Sequence, residues 1–127
     1  MWARSELVGS ADPFDRVWER AKAERAVHRT YYPAGTGRQL VAILAADDRL
    51  ERLRAIRVPT LVVHGDEDVL VPIENGRLVA AAVPGARMLE LEGMGHDLPR
   101  RVWPRVIGAI VETARKASAV PGLQTST

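Results

Sequence analysis

The chain contains no cysteine in its 127 residues. Disulfides, thiolate nucleophiles and zinc-thiolate sites are therefore ruled out, and the redox compartment stays undetermined. It also lacks any apolar run long enough to span a bilayer, and Met1 to Ser10 has neither the basic start nor the continuous apolar core of a signal peptide. The expectation is a soluble, cytoplasmic protein with no membrane partner. A dominant charge is missing too: 18 basic and 16 acidic side chains are interleaved along the chain, for a formal net charge of +2. No basic-aromatic stripe accompanies them, so a nucleic-acid partner is not expected. Internal repeats and low-complexity blocks are absent. The most consequential absence is that of a nucleophile turn. The serines are Ser5, Ser10, Ser118 and Ser126, and none lies in a Gly-x-Ser-x-Gly elbow, the sharp strand-to-helix turn that exposes a nucleophilic hydroxyl.

What is present is a chain with 46% apolar residues, enough for one domain with a sizeable core. Its first part, residues 1–56, reads as helix after helix. Asp12-Pro13 has the form of an N-cap followed by a first-turn proline, with a helix running to about Arg29 and one solvated, charged face. Tyr31 to Gly37 breaks that pattern; a second helix is expected from about Arg38 to Ala46 and a third from Asp48 to Ile56. Residues 57–117 change grammar to strand, helix, strand, helix, the signature of a parallel α/β layer. Leu61-Val62-Val63 is the first strand, Ile73 to Val83 the crossover helix ended by Pro84-Gly85, and Arg87 to Leu91 the second strand. A last amphipathic helix, about Arg101 to Ala117, is expected to bury Val102, Val106, Ile110 and Trp103. Residues 118–127 are expected to form a disordered tail.

Two motifs follow the two strands. Gly65-Asp66-Glu67-Asp68-Val69-Leu70-Val71-Pro72 comes directly after the first, and Gly93-Met94-Gly95-His96 shortly after the second. A right-handed strand-helix-strand unit places the carboxyl ends of its strands side by side, so Asp68 and His96 should meet at one sheet edge. An acid held on one imidazole nitrogen fixes the tautomer, and the other nitrogen is then free to accept a proton. The strand Leu61-Val62-Val63 is apolar at successive positions, as in the interior of a wider parallel sheet. Two strands alone leave open edges and are marginal in water. The sequence thus reads as the last part of a larger α/β protein.

Residues Arg57 to about Ala114 resemble the carboxyl-terminal part of an α/β-hydrolase-fold protein, on the strand ending in Gly-x-x-Asp-x-x-x-Pro and on the later Gly-x-Gly-His turn. The resemblance implies that Asp68 is the acid and His96 the base of a catalytic triad, without a cofactor. Pro33-Ala34-Gly35-Thr36-Gly37-Arg38-Gln39 and the helix after it resemble the cap of small esterases of that family, including methylesterases acting on polyketides. The fold class expected is a partial α/β-hydrolase fold: a helical cap-like segment followed by a β-α-β-α unit with two parallel strands. The substrate implied is a small ester-like molecule, acted on once a serine-bearing half completes the site; alone, the chain is expected to be inactive.

Each residue also carries a plainer reading. Asp68 alone could cap the helix beginning near Pro72 or close an Asx-turn. Asp66, Glu67 and Asp68 lack the spaced glycine and terminal glutamate of a calcium loop and read as a solvated turn. His64 ends the strand and is expected to satisfy a backbone group, and His28 lies exposed on a charged helix. Tyr31 and Tyr32 are packing residues or line a substrate cleft. The alternative to a hydrolase part is a non-catalytic interaction module or remnant that self-associates through its open sheet edge.

Overall fold

The computed structural model describes residues 8–10 and 15–118. Among the elements described in full, three helices lead: α1, Arg16–Arg29, α2, Pro33–Leu44, and α3, Leu50–Arg54. The strand β1, Leu61–Gly65, the helix α4, Ile73–Ala82, and the strand β2, Arg87–Leu91, follow. A 3-10 turn over Arg100–Val102 then leads into α5, Trp103–Ser118. The mixed α/β architecture matches the grammar expected from the sequence.

The helix ends show which local signals prevailed. Asp15 caps α1, its carboxylate accepting from the Trp18 N–H at 2.9 Å; Asp12 and Pro13, where the cap and first helical residue are expected, lie outside the described residues. The residues from Pro33 to Gly37, expected to break the helical pattern, instead open α2. Pro33 sits in its first turn, where its fixed φ suits a helix and its missing N–H leaves no bond unmade. At its other end α2 closes at Leu44 rather than Ala46. The helix α3 is shorter than the expected span, and Asp48 accepts from the Leu50 N–H at 2.9 Å at its entry. The tail expected from residue 118 onward begins one residue later at the earliest, since Ser118 still belongs to α5, and residues 119–127 lie outside the described part.

The two strands pair in parallel, in register from Leu61 opposite Arg87 to Gly65 opposite Leu91. The crossover through α4 makes this a β-α-β unit. Its core gathers Leu91, Met94, Val102 and Val106, with Val63, Leu89 and Trp103 packed against them. One face of α5 buries Val106 and Ala109. Ile110, expected in that face, is 53% exposed: Val102, Val106 and Ala109 follow one another at helical spacing, and Ile110 falls beside that stripe. Trp18 meets Trp103 edge to face at a centroid separation of 6.2 Å, and the Arg100 guanidinium lies 4.1 Å from the Trp18 ring centroid. These stacked groups join α1 to the start of α5. The helix α2 contributes no buried residue; Leu40, Val41, Ile43 and Leu44 on it are all exposed.

Candidate active site

The site forms where the chain leaves the two strands. Because β1 and β2 are parallel and in register, Gly65 and Leu91 stand opposite one another and both following loops start at the same sheet edge. The backbone ties those loops together: the Asp66 N–H donates to the Leu91 carbonyl at 3.3 Å and the Glu67 N–H to the Met94 carbonyl at 3.1 Å. Asp66 is spent in the same way, its carboxylate accepting from the Gly93 N–H at 2.7 Å. Gly93 has φ +65°, the left-handed conformation that glycine adopts without a Cβ clash, and it turns the chain toward His96.

Asp68 uses its two oxygens differently. Oδ1 accepts from the backbone N–H groups of Leu70 and Val71, each at 2.9 Å, and so closes an Asx-turn. Oδ2 faces His96, whose Nδ1 lies 2.8 Å away. The cap expected as an alternative does not form: Pro72 occupies the N-cap of α4, which has no side-chain cap. The Asx-turn and the pairing with His96 coexist because a carboxylate offers lone pairs on both oxygens. The Asp68 side chain is 7% exposed and that of His96 45%. Burial alone would raise the Asp68 carboxyl, but hydrogen bonds from the Val71 N–H, His96 and the Leu70 N–H outweigh it and hold the group below its ordinary value. It is therefore a carboxylate at neutral pH.

That charge state assigns the imidazole. A carboxylate only accepts, so the His96 nitrogen facing it carries a hydrogen, and in the neutral ring Nε2 keeps its lone pair. His64 lies behind the pair. Its Nε2 donates to the Val71 carbonyl at 2.8 Å and stands 3.7 Å from Asp68 Oδ2. The backbone group expected for His64 is thus the Val71 carbonyl, at the end of the acid loop, while His28 is exposed as expected. A cleft of about 440 Å³ opens beside these residues, lined by His64, Asp68, Met94, His96, Asp97 and Leu98 among others. Tyr31 and Tyr32 line a separate hollow of about 430 Å³ between α1 and α2. Among the described residues no three His, Asp or Glu side chains gather as a metal-binding group, and no helix is long and apolar enough to cross a membrane.

Sequence reasoning missed the contribution of residues 8–10. The Val8 carbonyl accepts from the His96 N–H at 2.6 Å, and Ser10 bonds Asp97 and the Gly95 N–H. Contacts across 85 residues or more leave no local pattern in the chain.

The chain is similar to known proteins over much of its length. The chain is 35% identical over 113 residues to the rhodomycin D methylesterase of Streptomyces peucetius, a match covering 88% of this chain and 38% of that protein. To the monoacylglycerol lipase of Mycolicibacterium smegmatis it is 39% identical over 74 residues, covering 58% of this chain and 25% of the lipase. The chain thus spans well under half the length of these curated relatives. The crystal structure of a bromoperoxidase from Bacillus anthracis superposes with a TM-score of 0.52 at 26% identity, over 59% of this chain and 28% of that one. Residues 17–102 match the abhydrolase family described as TAP-like protein, and the chain belongs to that family of α/β-hydrolase-fold, esterase-like proteins.

Proposed function

We propose that the chain supplies the acid and base of a serine-hydrolase site that cleaves small esters or related acyl compounds, with Asp68 as the acid and His96 as the base. The observation that carries this reading is the 2.8 Å contact between His96 Nδ1 and an Asp68 carboxylate already anchored by two backbone N–H groups. In the proposed reaction the lone pair on His96 Nε2 takes the proton of a hydroxyl nucleophile as its oxygen attacks the acyl carbon. The imidazolium so formed is stabilised by Asp68 and then gives the proton to the departing alkoxide. Water repeats the sequence to release the acid.

The nucleophile is not among these 127 residues in its usual turn, so the proposal places it on sequence outside them. In this reading residues 1–56 are a helical cap-like segment and residues 57–117 the carboxyl-terminal part of the core. The identities with a methylesterase and a monoacylglycerol lipase favour an ester bond as the target. The open edge of the two-stranded sheet supports association as well, either with the serine-bearing part or with a second copy of the chain.

The test is complementation. Purified chain alone should hydrolyse p-nitrophenyl acetate no faster than buffer, since an acid-base pair without a nucleophile cannot form an acyl-enzyme. Co-expression with the portion of the related methylesterase that this chain does not match should restore turnover, and His96→Ala should abolish it. Turnover by the chain alone that survives His96→Ala would overturn the proposal.

A further inference from the structure

The residues around His96 are held from an unexpected direction. Gly95, His96 and Asp97 follow a glycine turn, and the acid loop bonds the backbone of that turn at Gly93 and Met94, touching His96 through its side chain. The N–H groups of Gly95 and His96 point instead at residues 8–10. His96 donates to the Val8 carbonyl at 2.6 Å, and Gly95 donates to Ser10 Oγ at 3.1 Å. The Ser10 N–H donates to Asp97 Oδ1 at 2.9 Å, and the Ser10 hydroxyl donates to the same oxygen. Ser10 Oγ therefore both donates and accepts, a pair of roles that a hydroxyl fills and a methyl group does not. The approach is also tight: a Cβ at the buried Gly95 would collide with the backbone of Val8 and Gly9.

We infer that Val8 to Ser10 is a strap that aims the His96 imidazole at Asp68, with Ser10 and Asp97 as positioning residues. The inference rests on the reading of His96 and Asp68 as a functional pair. The imidazole is 45% exposed, so packing constrains it weakly. Its direction is then set by its backbone, and the strap bonds the N–H of His96 itself and both flanking residues. Ser10 and Asp97 bond each other, and Ser10 also bonds the Gly95 N–H. Their effect passes through the orientation of His96, which a bond to Asp68 of 2.8 Å requires to be narrow.

The experiment is nitrogen-15 NMR of histidine-labelled full chain at neutral pH, with amide exchange recorded alongside. In the unaltered chain His96 should show the form protonated on Nδ1, with a slowly exchanging Nδ1–H. Ser10→Ala and Asp97→Ala should each shift His96 away from the Nδ1-protonated pattern and accelerate exchange of the Gly95 and His96 amides at least tenfold. Ser10→Thr, which keeps the hydroxyl, should retain the native signals. Amide protection in β1 and β2 should survive in all three variants. An unchanged His96 pattern in Ser10→Ala and Asp97→Ala overturns the strap, and so does loss of strand protection in both, which would make residues 8–10 a general folding element. Asp68→Asn separates the two readings. If it leaves the His96 pattern intact, the acid-base pair itself is wrong; if it collapses the pattern while Ser10→Ala does not, only the strap is.

Discussion

Substituting Gly65→Ala tests the joint between sheet and site. Gly65 is buried at the end of β1, and a Cβ there would collide with the backbone carbonyl of Met94. No rotamer change relieves that contact, because the obstructing atoms are backbone. The same carbonyl accepts from the Glu67 N–H at 3.1 Å, so moving it aside to admit a methyl group stretches the bond tying the acid loop to the histidine loop. Overpacking of this kind costs about 1–3 kcal/mol. A weakened backbone hydrogen bond adds ~1 kcal/mol, for a total of about 2–4 kcal/mol. With a urea slope of about 2 kcal/mol per molar, the unfolding midpoint should fall by about 1–2 M. The displacement also separates Asp68 from His96, so the NMR signature of the Nδ1-protonated ring should be lost at urea concentrations where the chain is still folded. A midpoint shift below about 0.3 M with an intact His96 signal would show that β1 and the turn after β2 are not in contact, and the site as described would not exist.

Three further outcomes are expected. Leu91→Ala, at a side chain with no exposed surface, should cost about 2–5 kcal/mol, measured by chemical denaturation. The Asp68 carboxyl lies below its ordinary value in the folded chain, so its contribution to stability is complete above an unfolded value near 3.9 and disappears as pH falls through the lower folded value. Asp68→Asn should flatten the stability curve in that acid window and leave its shape near neutrality unchanged, by denaturation at a series of pH values. Arg77→Ala removes a two-pronged pair with Glu90 at 2.8 and 2.9 Å, but both side chains are about half exposed. Its effect on the denaturation midpoint should be small, as for an exposed ion pair, and should shrink in added salt.

Much of the architecture was legible in residue order because its signals are local. The run Arg87 to Leu91 predicts a strand that forms over those same residues, and the crossover helix starts at Ile73 as expected. Parallel pairing followed from the alternation of strand and helix, and it alone requires Asp68 and His96 to leave the sheet at one edge. The motif also located the acid loop, since an aspartate followed by open N–H groups two and three residues on makes an Asx-turn with little help from the rest of the fold. Where local signals competed, order alone erred. Pro33 opens a helix that Gly35 and Gly37 argued against, and Ile110 sits outside a stripe whose phase depends on where α5 meets the sheet.

The remaining features depend on groups far apart in sequence. Nothing near Ser10 signals that its hydroxyl meets Gly95 and Asp97 across at least 85 residues, and nothing near His64 signals that its ring closes on Val71 while lying against Gly76 of α4. Periodicity and turn chemistry act through neighbours a few positions apart, so they specify elements and the order in which they connect. The distance from imidazole to carboxylate, the state of that carboxylate and the strap that aims the ring are properties of packed surfaces, which exist only once the chain has closed on itself.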